Sequence, residues 1–189
     1  MLKAFFVAAL LAPLAAQANA QITAPATIVP EKVISAVTGD WNHDGSMDRA
    51  VLVEGDDSDA ALFVYVADGN GNMILAGYAR SIAFAGRMFG NVPDLRLSKS
   101  GALQVHSENI AIGRNHWERT LTLAYRNDAM VVGGLTTSGY DTMDPKSAAS
   151  CDINLLTGKG KSGKDVIKVK AGGVPVADWT DDNVPVDCQ

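Results

Sequence analysis

Residues 40–48 read Asp-Trp-Asn-His-Asp-Gly-Ser-Met-Asp, with carboxylate or carboxamide side chains at loop positions one, three, five and nine. A hard cation such as Ca²⁺ takes several oxygen ligands at close range, and such a run of odd-numbered oxygens can wrap around one point. Asp40, Asn42, Asp44 and Asp48 are the expected side-chain ligands. Ser46 fills the seventh position, which normally lends only its backbone carbonyl, and Gly45 permits the sharp turn. An EF-hand would need Glu at position twelve, where this chain has Val51, so that motif is excluded. The bland alternative is an Asx-rich turn stabilised by its own side chains. Four ligand positions and the glycine falling in register favour calcium.

Other chemistry is sparser. His43, His106 and His116 make no convincing catalytic set, and His116-Trp117-Glu118 lacks the His-Glu-x-x-His spacing of zinc proteases. There is no Gly-x-Ser-x-Gly nucleophile elbow. Gly158 to Lys164 contains Gly-Lys-Ser without Walker spacing and is expected to be an exposed turn. Glu108 and Glu118 lie on or near expected strands and are candidates for a carboxylate pair of the kind used in glycoside hydrolysis, if the fold brings them together, although dispersed acids usually just solvate a surface. Trp117, Tyr125 and Trp179 are candidates for a carbohydrate or peptide groove, although aromatics at strand periodicity are more often core. No catalytic residue is assigned.

The elements that must position these residues read as strands. Short, β-branched-rich apolar runs alternate with turn formers: 33–37, 50–53, 61–66, 73–78, 94–97, 102–106, 117–125, 130–136, 153–156 and 166–169. Within 117–125, Trp117, Arg119, Leu121, Leu123 and Tyr125 alternate with Glu118, Thr120, Thr122 and Ala124, the signature of a sheet with one buried face. Asp68-Gly69-Asn70-Gly71-Asn72 and Asn127-Asp128 are expected hairpin turns. Residues 82–88 allow a turn or two of helix, limited by Gly86 and Gly90. The tail from Gly172 onward is expected to be irregular. The fold class is therefore mainly β: a single domain of antiparallel strands, meander or sandwich-like.

The stretch Val37 to Leu52, Val-Thr-Gly-Asp-Trp-Asn-His-Asp-Gly-Ser-Met-Asp-Arg-Ala-Val-Leu, resembles the FG-GAP/VCBS-type repeat, the Ca²⁺ loop of integrin-like propellers. That resemblance implies a loop joining two strands, with Asp40, Asn42, Asp44 and Asp48 as side-chain ligands and Ser46 giving its carbonyl. It covers about sixteen residues and occurs once, whereas a propeller needs several blades. A complete propeller is not expected. Asn154-Leu155-Leu156-Thr157-Gly158-Lys159 is similar to a segment of small exported bacterial proteins that pair one such loop with a β-rich body, a resemblance that brings no activity with it.

Bulk properties bound the rest. Met1-Leu2-Lys3, the apolar run Ala4 to Ala16 and Ala18-Asn19-Ala20 read as a signal peptide over residues 1–20, cut before Gln21. The run is too short for a membrane span, which takes about 20 residues. Residues 21–189 then form one domain with a real core. With 16 Lys and Arg against 21 Asp and Glu the net charge is −5, and losing Lys3 makes it −6. An acidic surface gives no support to nucleic-acid binding. Cys151 and Cys188, in an oxidising compartment, are expected as a disulfide rather than as buried thiols or a metal pair. The expected protein is periplasmic or secreted, calcium-binding, and a binding or envelope-associated module with an unassigned protein or glycan partner. The competing expectation is an exported hydrolase acting on envelope polysaccharide or peptide.

Overall fold

The computed structural model describes residues 27–188; the expected signal peptide lies outside them. Among these residues, hairpin follows hairpin through two antiparallel sheets. The first contains β1 (Val33–Gly39), β2 (Asp48–Glu54), β3 (Asp59–Ala67) and β4 (Met73–Phe84) in chain order. The second runs β11-β10-β9-β8-β7-β6-β5, from β5 (Asp94–Leu97), β6 (Leu103–Asn109), β7 (Asn115–Arg126), β8 (Ala129–Asp141), β9 (Asp144–Asn154), β10 (Lys159–Ser162) and β11 (Asp165–Lys168). A two-residue β12 (Val174–Pro175) pairs with β8 beyond the end of β9. The expected mainly β, single-domain antiparallel architecture holds, with no closed barrel or propeller.

The turn chemistry explains this order. Asn127 and Asp128 have φ of 50° and 61°, so the two-residue β7–β8 turn has positive φ at both central positions, which suits the right-handed twist of the flanking strands. Asp68 caps its own turn by accepting the N–H groups of Asn70 and Asn72 at 2.8 and 3.0 Å. Between Thr122 and Leu123 the register slips by one residue at Gly133, a bulge that reverses which β8 side chains face inward.

Inward-facing Ala50, Leu52, Leu62 and Val64 of the first sheet meet Leu103, Val105, Leu121, Leu123, Met130, Leu135 and Ile153 of the second. At one side the sheets draw together through β1 and β5, where Leu95 donates its N–H to Ser35 Oγ at 3.1 Å. The tail closes the other side with buried Val176, Trp179 and Val184, and is tied to β9 by the Cys151–Cys188 disulfide.

Three local expectations change. Residues 82–84 continue β4, because Ile82 and Ala83 are buried between the layers, and only a 3-10 turn, Arg87–Phe89, follows. Gly158 to Lys164 is not merely a turn: Lys159–Ser162 pairs with β9 on one side and β11 on the other. The strand expected at 153–156 begins at Asp144 and ends at Asn154. Its polar first half defeats a reading based on apolar periodicity.

Candidate functional site

The Asp40 loop is the β1–β2 connection, closed by the Gly39↔Asp48 pair, so strands flank it on both sides. Gly39 is needed for contact rather than for backbone freedom: a Cβ there would stand 2.7 Å from Trp41 Nε1. The indole lies against the bare backbone and is buried at the base of the loop.

Within the loop, side-chain oxygens take up the backbone N–H groups in sequence. Asp40 accepts from Asp44 N–H at 3.1 Å and Gly45 N–H at 3.0 Å. Asn42 Oδ1 accepts from Asp44 N–H at 3.2 Å, and Asp44 Oδ1 from Ser46 N–H at 2.7 Å. Gly45 turns the chain at φ 87°, and His43 at φ 61° is exposed. These bonds orient the oxygens of positions one, three and five together, while each oxygen keeps a second lone pair. The Ser46 amide, followed by the Asn42 side-chain amide, holds the Asp44 carboxyl below the usual carboxylate range, against an opposing push from the Asp68 charge.

Asp48 behaves differently from the other three. It is fully buried, and its two oxygens accept from Trp41 N–H at 2.7 Å and from Ala67 N–H at 3.0 Å. It therefore ties the loop to the end of β3. That tie brings the β3–β4 turn toward the loop, near enough for the Asp68 charge to act on Asp44. The Tyr125 phenol, raised first by burial and then by Asp128, also feels Asp48 and Asp44, so the β7–β8 end closes the same corner.

Asp40, Asn42 and Asp44 are thus brought together, Ser46 is half-buried behind them, and Asp48 is directed inward. Among the described residues, no three His, Cys, Asp or Glu side chains form a ready metal-ligand group by themselves. The donor set here draws equally on an amide oxygen. None of the six ion pairs among the described residues involves Asp40, Asp44, Asp48 or Asp68. The corner is rich in oxygen and its acids have no ion-pair partner among the described residues. Its chemistry fits a hard cation.

Comparison with protein-family models, with curated proteins and with solved structures returns no match.

The remaining candidates separate. Glu108 and Glu118 are directly opposite across β6 and β7, an arrangement only the register reveals. His106 Nε2 stands 3.6 Å from Glu108 Oε2, and its Nδ1 lies 3.2 Å from Thr120 Oγ1. Directly opposed like charges on a sheet are unfavourable, and this pair sits on the outer face of the second sheet. Trp117 is packed by Phe84, with ring centroids 6.0 Å apart, and by Arg119, 5.4 Å from its ring centre. Trp179 is core. Cys151 and Cys188 are joined.

Sequence reading overlooked a cleft of about 610 Å³ at the other end of the first sheet, floored by Val53, Ala61, Phe63 and Tyr78. One signal for it was present. Residues 60–67 of β3 are continuously apolar instead of alternating, which marks a strand covered on both faces.

Proposed function

We propose that this chain is an exported calcium-binding β-sandwich protein in which Ca²⁺ has a structural role, serving as a binding or envelope-associated module in the periplasm or outside the cell. The observation that carries it is the Asp40–Asp48 loop. Three oxygen-bearing side chains are oriented by the loop's own amides, in a negative corner with no ion-pair partner. Asp40, Asn42 and Asp44 would hold the ion with the Ser46 carbonyl, and Asp48 would hold it directly or through water. A bound ion would neutralise these carboxylates and fasten the β1–β2 and β3–β4 ends together. The resemblance to the FG-GAP/VCBS-type loop supports this reading. The disulfide is consistent with a protein outside the cytoplasm, and no helix among the described residues is long and apolar enough to cross a membrane.

A ligand that binds only the native state raises the melting temperature by mass action. Adding millimolar Ca²⁺ to chelator-treated protein should therefore raise Tm, and Asp44→Ala should remove most of the rise. A parent protein that does not respond ends the calcium reading.

The Glu108–Glu118 pairing favours a second reading, an exported hydrolase of envelope polysaccharide or peptide. Neither residue lines the clefts beside Phe63 or Trp117. Turnover of cell-wall substrates that disappears in Glu108→Gln and Glu118→Gln would establish it over the binding-module reading.

A further inference from the structure

We propose that the cleft on the outer face of the four-stranded sheet binds a short peptide presenting an apolar side chain next to a cationic group. This names a partner class for the module reading above and rests on it. The outer face of an antiparallel sheet normally meets water and is polar. The second sheet obeys this, with Gln104, Thr120, Thr122 and Thr136 along its outer face. The first does not. Val53, Ala61 and Phe63 form an apolar cluster separate from the main core, with Phe63 only 3% exposed.

The half-buried Tyr78 ring, 4.9 Å from the buried Phe63 ring and tilted to it by 47°, is the accessible aromatic part of the floor. The entering chain, Thr27 to Val29, and the turn between β2 and β3 also line it. Asp57 and Ser58 hold that turn at φ 56° and 65°. At about 610 Å³ the cleft falls within the usual size of small-ligand sites.

Charge selects the partner. The cleft is lined by four acids, Glu54, Asp56, Asp57 and Asp59, against two bases, Lys32 and Arg80, a net of −2. Arg80 pairs with Asp56 at 3.6 Å and Glu54 with Arg87 at 2.9 Å, which leaves Asp57 and Asp59 against Lys32, and Asp59 accepts a hydroxyl from Ser81 at 2.6 Å. An apolar side chain would lie on the Phe63–Tyr78 floor, and an adjacent Lys or Arg would reach the Asp57–Asp59 turn.

The test is an NMR titration of the purified exported chain with acetyl-Phe-Lys-amide, acetyl-Phe-Glu-amide and the uncharged acetyl-Phe-norleucine-amide. The lysine peptide should move the amide signals of Asp59, Ala61, Phe63 and Tyr78. It should bind at least about tenfold more tightly than the glutamate peptide, with the preference shrinking at high salt. Ala61→Leu, which fills the floor, should abolish binding, and Asp59→Asn should reduce the charge preference with the spectrum otherwise unchanged. Equal binding of the Lys and Glu peptides, or no shifts at millimolar peptide, would overturn the proposal. So would contacts to the Tyr78 ring from residues preceding Thr27, or self-association through this face. The cleft and the Asp40 loop lie at opposite ends of β2, so a missing calcium response leaves the peptide result standing, and the reverse.

Discussion

Asp48 shows at single-residue scale why a ligand motif and a structural motif can share one side chain. Its carboxylate is fully buried and serves two backbone donors from different strand ends, Trp41 and Ala67. Asp48→Ala would leave the buried Trp41 N–H and the partly buried Ala67 N–H without acceptors, at up to about 1–3 kcal/mol each. Urea denaturation should accordingly show a loss of roughly 2–5 kcal/mol in calcium-free protein, whereas Asp44→Ala, at an exposed site, should change little without the ion. Equal losses in the two variants would contradict this division of roles. Acid sensitivity also belongs here. Asn72 holds the Asp68 carboxyl below its ordinary range, and Arg114 does the same for Asp141. In both cases the folded carboxyl titrates lower than the unfolded one, so the unfolded chain binds more protons as pH falls. The stability these groups contribute is fully present above about pH 4 and is lost as pH drops through their lowered folded values. Denaturation midpoints should fall on that acid limb, and Asp141→Asn should make the fall shallower.

At the scale of elements, β4 packs tightly against β8 at Gly77. A Cβ on Gly77 would stand 2.9 Å from Met130 Cβ, so Gly77→Ala pushes two sheets apart rather than filling a gap. Overpacking of that kind costs about 1–3 kcal/mol, and thermal unfolding should show it with the secondary structure intact. Strand positions were legible wherever apolar residues alternate, as in β7, whose Leu121 and Leu123 are both buried. They were illegible in β10 and in the first half of β9. Lys159–Ser162 and residues 144–150 are carried by their neighbours' hydrogen bonds and bury little apolar surface. Pairing, not composition, makes them strands.

Across the whole molecule the tail acts as a clasp. Trp179 and Val184 fill the open side of the sandwich, and Cys188 fastens them to Cys151 across a separation of 37 residues. Closing a loop of that length in the unfolded chain stabilises the fold by roughly 3–4 kcal/mol on chain-entropy grounds. Reduction, or Cys188→Ala, should lower Tm accordingly and increase solvent quenching of Trp179 fluorescence. Unchanged stability on reduction would mean that tail packing alone holds this side closed.

The sequence by itself determined a mainly β chain, its hairpin turns, the pairing of its two cysteines and a nine-residue loop of calcium-ligand type. Each of these is written in local spacing: period-two alternation, Asn, Asp and Gly at turns, oxygens at odd positions, one even pair of thiols. Only the tertiary structure decided that Asp48 faces inward, that the Asp68 charge acts on Asp44, that Glu108 opposes Glu118, and that Phe63 and Tyr78 underlie a cleft. Those facts depend on strand register and sheet stacking. Both follow from the burial of many side chains at once, a sum over the whole molecule that no short stretch of residues contains.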